Sequence, residues 1–240
     1  MSELLKDGIE IVLLSYKEED NLKKLIPEIK SNVEKTGLAY EILVVDTEKP
    51  LDNTEKVCEE LGAIYVNQRE KGFGGAFRTA IEEADRQYFF IMDSDGSHNP
   101  KYISSMVSLF IEKKCDVVIG SRYVKGGKTF DSKSSVVMSK ILNTVFRIFL
   151  GIKAHDISTD FRMYDTAQLK KIKLENTNYD VLQEVLFKLK QNKKNLVIGE
   201  VPITFEKRLY GESKRQLIPF IISYIKSLFR LTAMRIRNSL

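Results

Sequence analysis

Tyr88-Phe89-Phe90-Ile91-Met92-Asp93-Ser94-Asp95 is the stretch that decides the fold. Five apolar residues form a buried strand, and the strand ends in two carboxylates two residues apart. Both are delivered to one small volume. Such a pair suits a hard divalent cation, since Mg²⁺ keeps waters, takes one or two carboxylates and completes its shell with phosphate oxygens. The competing reading is a solvated turn, because Asp95-Gly96-Ser97-His98-Asn99-Pro100 is rich in turn formers.

Outward from this strand, further apolar runs occupy residues 9–15, 40–46, 63–67 and 116–120. Between them lie helical patterns near residues 19–35, 53–61, 74–85 and 100–113. Strands alternating with helices of this length predict an α/β fold built on a mostly parallel sheet. Ligands of such sheets bind beyond the carboxyl ends of the strands. Asp46, Asp93 and Asp95 all fall at such ends. The second half predicts a link at Lys125-Gly126-Gly127-Lys128, helices over 135–150 and 180–190, and strands over 161–164 and 196–202.

The chain has 240 residues, 43% hydrophobic and 30% charged. That describes one folding α/β unit with a packed core, not a disordered chain. Cys58 and Cys115 lie far apart without metal-ligand spacing and read as buried thiols of a reducing compartment. His98 and His155 are too few for a histidine-based metal site. A charged stretch follows the first apolar run too soon for a signal peptide, so the expected location is cytoplasmic.

The net charge of +5 is unevenly placed. From Lys207 onward, Lys207, Arg208, Lys214, Arg215, Lys226, Arg230, Arg235 and Arg237 stand against Glu212 alone. No nucleic-acid motif accompanies them, which excludes nucleic acid as the expected partner. Residues 216–238 give a helix with Ser223, Lys226, Ser227, Arg230 and Arg237 on one side. Ile221, Ile222, Ile225, Leu228 and Phe229 populate the other. Its longest uncharged run is too short to span a bilayer. Such a helix lies on an anionic membrane surface, or docks on its own domain or on a second protomer of a homo-oligomer.

The order of several segments resembles glycosyltransferase family 2. They are Leu14-Ser15-Tyr16-Lys17-Glu18-Glu19-Asp20-Asn21-Leu22, Val44-Val45-Asp46, Glu70-Lys71-Gly72-Phe73-Gly74-Gly75-Ala76 and Ile91-Met92-Asp93-Ser94-Asp95. Gly120-Ser121-Arg122-Tyr123, Asp156-Ile157-Ser158-Thr159-Asp160-Phe161-Arg162-Met163-Tyr164 and Glu200-Val201-Pro202-Ile203-Thr204-Phe205 with Arg208-Leu209-Tyr210-Gly211-Glu212-Ser213-Lys214 are similar to its polyprenyl-phosphate branch. Dolichol-phosphate mannosyltransferase typifies that branch.

The resemblance implies a GT-A-type fold with helices flanking the sheet and amphipathic helices at the C-terminal end. Residues 1–125 would bind a nucleotide diphosphate sugar, 126–215 would bind the acceptor, and 216–240 would form the basic membrane-surface or dimer element. It assigns Ser15, Tyr16, Glu18, Asp46, Lys71, Gly72, Gly74, Asp93, Arg208 and Lys214 to the donor, with Gly75 beside the nucleotide. Asp93, Asp95 and Ser97 would hold Mg²⁺ or Mn²⁺. Arg122, Ser139 and Arg162 would take the acceptor phosphate, and Asp95, Asp156 and Arg122 would be catalytic. The implied reaction is inverting transfer of a hexosyl group, from a donor of the GDP-mannose or UDP-glucose type, to a polyprenyl phosphate at the cytoplasmic face of a membrane. A polysaccharide or other non-lipid acceptor is the alternative. Four positions depart from the family pattern: Thr47 for Asp, Lys17 for Asn, Ser97 for Gln and Asp160 for Gly.

Overall fold

The computed structural model describes residues 5–210 and 217–237, with side chains of the last helix from residue 222 onward. Strands β1 (Lys6–Leu14), β2 (Tyr40–Asp46), β3 (Ile64–Asn67) and β4 (Arg86–Asp93) alternate with helices α1 (Glu19–Val33), α2 (Thr54–Leu61) and α3 (Phe73–Glu83). Next come α4 (Ile103–Glu112), β5 (Val117–Ser121), the short β6 (Lys128–Thr129) and α5 (Lys133–Leu150). The chain continues through β7 (Arg162–Asp165), α6 (Thr166–Leu169), α7 (Val181–Asn192), β8 (Ile198–Pro202), β9 (Thr204–Phe205) and α8 (Leu217–Arg237).

Seven strands form one sheet in the order β3-β2-β1-β4-β7-β5-β8. The chain steps outward from β1 to β3 and then returns to the other side of β1 for β4. This reversal opens a crevice above the carboxyl ends of β1 and β4, where ligands of open α/β sheets bind. All pairings are parallel except those of β7, which runs antiparallel to both β4 and β5. Because β7 is reversed, its beginning, not its end, lies at the carboxyl rim. Ile91 and Ile119 both stand opposite Arg162, so Thr159 and Asp160 are delivered beside Asp93.

Side-chain alternation divides the core into two layers. Ile9, Ile11, Leu13, Ile42, Val44, Phe90 and Met92 face one way and pack on α1, α2 and α4. Val12, Leu43, Val45, Phe89 and Ile91 face the other way, against α3, α5, α7 and α8. Near-continuous apolar strands are the signature of a sheet covered on both faces. Cys58 and Cys115 are both buried free thiols.

Helix α8 docks through a face that mixes polar ties with apolar residues of the core, Tyr224, Leu228, Leu231 and Met234. Ser227 is buried, Ser223 bonds Asp180, and Arg230 pairs with Glu175 and Glu184. Tyr224 and Leu231 fill the gaps between these polar ties. The apolar residues Ile222, Ile225, Phe229 and Ile236 point outward, Phe229 being 73% exposed. Helix α5, packed beside α8, exposes Val137, Met138, Ile141, Ile148 and Phe149 in the same manner. Among the described residues no helix is long and apolar enough to cross a membrane.

Candidate functional site

Two cavities open along the carboxyl rim. The larger, about 760 Å³, lies over the ends of β1 and β4. The smaller, about 520 Å³, lies between the Asp93–His98 turn and the start of β7. Asp93, Asp95, Tyr179 and Arg208 line both. They form the wall where the two cavities meet.

Most of the expected donor residues gather in the larger cavity. Ser15, Tyr16, Glu18, Lys71, Gly72, Asp93 and Arg208 line it. Ser15 follows β1, and the pairing of Leu14 with Val45 sets it beside Asp46 at the end of β2. Asp46 is 1% exposed. Its Oδ2 accepts from the Tyr65 hydroxyl at 3.1 Å, while its Oδ1 and the Ser15 hydroxyl have no partner. Burial pushes the Asp46 carboxyl above its ordinary value. Buried polar atoms without partners are costly unless a ligand or water satisfies them, although Asp46 itself lines neither cavity.

Gly72 has φ of +85°, which favours glycine. Gly74 does not line the cavity, which corrects its donor role. A side chain there would collide with the carbonyl of Asn176, and its N–H donates to Thr177 O at 2.9 Å. Gly75 is likewise closed off by the backbone of Glu70. Gly74, together with Gly72, where a side chain would meet the Thr177 carbonyl, seats the loop that carries Tyr179. Lys214 lies outside the described residues.

The turn after β4 is braced from three sides. The Asp95 carboxylate accepts from the Ser97 N–H at 2.9 Å, and Arg208 Nη2 stands 3.0 Å from its other oxygen. Burial pushes the Asp95 carboxyl up, and the neighbouring Asp93 adds to this. Residues 205–209 strap the turn through Glu206 N–H to Ser97 O at 2.9 Å and Leu209 N–H to Asp95 O at 3.0 Å. Ser97 corrects another expectation. Its hydroxyl turns onto Asp93 Oδ2 at 3.2 Å, and it lines neither cavity. It positions the two carboxylates instead of facing a cation.

His98, unassigned by the sequence, supports the same turn. The Asp93 amide donates to its Nδ1 at 3.0 Å, so the ring proton sits on Nε2, facing Thr159 Oγ1 at 3.2 Å. Burial depresses the His98 pKa to about 3, so the ring is neutral. Asp160 touches Asp93, and burial together with that neighbour holds the Asp160 carboxyl well above the usual range.

At the smaller cavity, Arg122 follows β5 and joins the lining. Asp156, fully buried, grips it by both edges, with Nε to Oδ2 at 2.7 Å and Nη2 to Oδ1 at 2.9 Å. Burial alone would raise the Asp156 carboxyl, but the charge and hydrogen bonds of Arg122 hold it below the ordinary value. Asp156 therefore does not touch the reacting space, which corrects its catalytic assignment. It is the positioning residue for Arg122. Ser139 on α5 lies 2.9 Å from Ser158 Oγ, which in turn accepts from Arg122 Nη2 at 2.8 Å.

Arg162 is not brought to the cavity at all. It is 0% exposed, and its guanidinium donates to the carbonyls of Leu182 and Ile157 at 2.8 Å and to the Tyr164 hydroxyl. On β7 its side chain points into the core and ties the strand to α7. Sequence reasoning also missed Tyr179, Asp160 and Lys207 as lining groups. Only Asp160 carried a signal, as a departure from pattern.

An open sheet reversing at β1, with paired rim carboxylates and a cavity of nucleotide size, defines a GT-A-type glycosyltransferase fold. The chain belongs to glycosyltransferase family 2: residues 10–173 match the family described as Glycosyl transferase family 2. It is 31% identical over 236 residues to a dolichol-phosphate mannosyltransferase of Pyrococcus furiosus, a match covering 93% of this chain and 63% of that one. It is 32% identical over 218 residues to a polyprenol monophosphomannose synthase of Mycolicibacterium smegmatis, covering 85% and 79%. The chain thus spans less than two thirds of the first relative's length.

Among solved structures, the fold is similar to glucosyl-3-phosphoglycerate synthase from Mycobacterium tuberculosis in complex with Mn²⁺, UDP and glucosyl-3-phosphoglycerate. The TM-score is 0.72 at 18% identity, over 94% of this chain and 80% of that one. The same enzyme with Mg²⁺ and UDP gives 0.71 at 16% identity, over 94% and 79%.

Proposed function

We propose that the protein moves a hexosyl group from a nucleoside diphosphate sugar, of the GDP-mannose or UDP-glucose type, to a polyprenyl phosphate, with inversion at the anomeric carbon. The observation that carries this reading is the wall of Asp93, Asp95, Tyr179 and Arg208 shared by two cavities. A donor in one and an acceptor in the other would meet there. The relatives named for mannosyl transfer to dolichol and polyprenol phosphates support the acceptor class.

In the donor cavity, Ser15 and Asp46 would satisfy their unpaired oxygens on the base or ribose. Arg208 would meet the leaving diphosphate, whose growing charge is the larger chemical demand. Hard carboxylate oxygens from Asp93 and Asp95, facing both cavities, fit Mg²⁺ or Mn²⁺. Such an ion, when bound, supplies further charge stabilisation to the diphosphate. The solved neighbours with Mn²⁺ or Mg²⁺ and UDP support this.

The acceptor needs little proton chemistry. A phosphate monoester has a second pKa near 6 and is mostly a dianion at neutral pH. It needs to be held, and a planar guanidinium suits phosphate oxygens. Arg122 presents its Nη1 side, 3.6 Å from Asp131, within the acceptor cavity. Phe130, at the same cavity, precedes α5 and its exposed apolar face. The outward stripe Ile222, Ile225, Lys226, Phe229, Ile236 and Arg237 on α8 mixes apolar and basic side chains, as suits an anionic bilayer surface. On this reading the protein works as a peripheral protein at the cytoplasmic face. A non-lipid acceptor would leave these two apolar faces without a use.

The test is to incubate the protein with radiolabelled GDP-mannose or UDP-glucose and Mn²⁺. One arm contains a polyprenyl phosphate in detergent and the other 3-phosphoglycerate. Label should pass into organic solvent only in the lipid arm. Transfer to the water-soluble phosphate alone would overturn the assignment.

A further inference from the structure

Where the two cavities meet, the described residues carry more negative charge than positive. Asp93, Asp95 and Asp160 converge there. Arg208 answers Asp95 at 3.0 Å. Arg122, the other guanidinium, is committed to Asp156 through both edges. His98 is neutral, with both ring nitrogens engaged by Asp93 N–H and Thr159 Oγ1. Asp93, Asp95 and Asp160 are thus packed closely in a buried place, and carboxylates crowded this way ionise together only when a further counter-charge arrives.

Asp160 supplies the second observation. Its side chain is 9% exposed, lines the smaller cavity and packs carboxyl to carboxyl on Asp93, with a backbone N–H beside it. In holding such an acid pair, a cation could replace the shared proton. Its polar side-chain neighbours are the Asp93 carboxyl and His98 Nδ1 at 3.7 Å. Ligand atoms of Asp93, His98 and Asp160 lie within 4.8 Å of one another. Oxygens at that spacing can straddle a cation whose ligands sit about 2.0–2.6 Å away. The histidine is excluded as a ligand, because Nδ1 already accepts the Asp93 amide. The carboxylates are left.

We propose that Asp160 is a ligand of the divalent cation, which it and Asp93 hold on the acceptor side of Asp95. This rests on the metal-dependent reading of the site given above. It also accounts for Ser97, whose hydroxyl is turned onto Asp93 and away from both cavities. A cation between Asp93 and Asp160 faces the space where the acceptor phosphate would lie. It turns a cavity whose carboxylates repel a dianion into one that accepts it.

The experiment is calorimetric titration of Mn²⁺ into the wild-type protein, Asp160→Asn and Asp160→Gly, each alone and with GDP or UDP, with metal-free melting curves beside it. Wild type should bind Mn²⁺ in at least one condition, and both variants should bind it tenfold or more weakly. The metal-free midpoint of Asp160→Asn should rise, because a neutral amide replaces the buried acid packed on Asp93. Equal Mn²⁺ affinity in wild type and variants overturns the Asp160 assignment and leaves the metal reading standing. Absence of Mn²⁺ binding by wild type in every condition overturns both. A metal-free midpoint that falls in Asp160→Asn marks a structural role and overturns the ligand assignment.

Discussion

Ser223 on α8 donates its hydroxyl to Asp180 at 2.6 Å, immediately before α7. A second tie joins Asn178 to the same serine at 3.2 Å, and a third joins Asn176 to Ser227 at 2.8 Å. The helix is thus fastened by polar contacts to the loop that carries Tyr179 to the junction of the cavities.

Since α8 is held by its polar ties and by Tyr224 and Leu231, its outward apolar residues add little to folding. Phe229→Asp should leave the unfolding free energy from a denaturant titration within about 0.5 kcal/mol of wild type, as for a surface change. The same variant should lose flotation with phosphatidylglycerol vesicles. Leu231→Ala, by contrast, opens a cavity in the core and should cost about 2–5 kcal/mol. If Phe229→Asp floats like wild type, the outward face is not the membrane contact.

Arg122 and Arg162 should separate cleanly in kinetics. Asp156→Asn keeps the shape but releases the grip on Arg122, so the KM for the lipid phosphate should rise about tenfold with the donor KM unchanged, which is about 1.4 kcal/mol. Asp156→Ala strands a buried guanidinium and should cost about 3–5 kcal/mol in denaturation. Because the folded Asp156 carboxyl sits below its ordinary 3.8, its stabilisation is complete above that pH and fades as pH falls through the lower folded value. Arg162→Met should lower stability while the surviving fraction keeps the wild-type acceptor KM. An acceptor KM raised by Arg162→Met would restore that arginine to the site.

Asp46 has the opposite sign. Its carboxyl is raised by burial, so the ligand-free protein loses stability as pH climbs from 3.8 through the folded value. Asp46→Asn should therefore raise the melting midpoint at pH 7, and that gain should vanish below pH 3.8. Stabilisation by GDP or UDP should shrink in the same variant. An unchanged nucleotide shift would remove Asp46 from the donor site.

Gly74→Ala forces a methyl group into the Asn176 carbonyl. Overpacking of this kind costs roughly 1–3 kcal/mol. The displaced loop should lower kcat more than donor affinity, since Tyr179 moves with it. Steady-state kinetics beside a denaturant titration would show whether the two effects travel together.

The alternation of apolar strands and helical patterns made the parallel half legible, and β2 falls on residues 40–46 as expected. The rim positions of Asp46, Asp93 and Asp95 followed from the strand ends. What the sequence concealed was register and direction. Arg122 and Arg162 are the same residue type in similar motifs, but Arg122 leaves a strand at the rim while Arg162 lies inside one. A four-residue strand such as β7 has no periodicity that reveals its reversal. The helical wheel of α8 set Ser223, Ser227 and Arg230 apart from Ile222, Ile225 and Phe229, as the structure does. It misplaced Lys226 and Arg237, which lie outward, and Leu228, which packs on the core. Nor does a wheel say which side faces home. That choice was made by Asp180, Glu175 and Glu184, which are distant in sequence.

The reversal of β7 gives the fold a modular character. The chain leaves the sheet at Ser121 and re-enters it at Arg162, and both points lie at the same rim. Everything between them is an excursion that begins and ends beside the smaller cavity and ties back to the rest through β6 and β9. Such an insert can lengthen, shorten or change its lining while the parallel strands keep their register. On the proposed function, a lineage could retune its acceptor largely by rewriting residues 122–161.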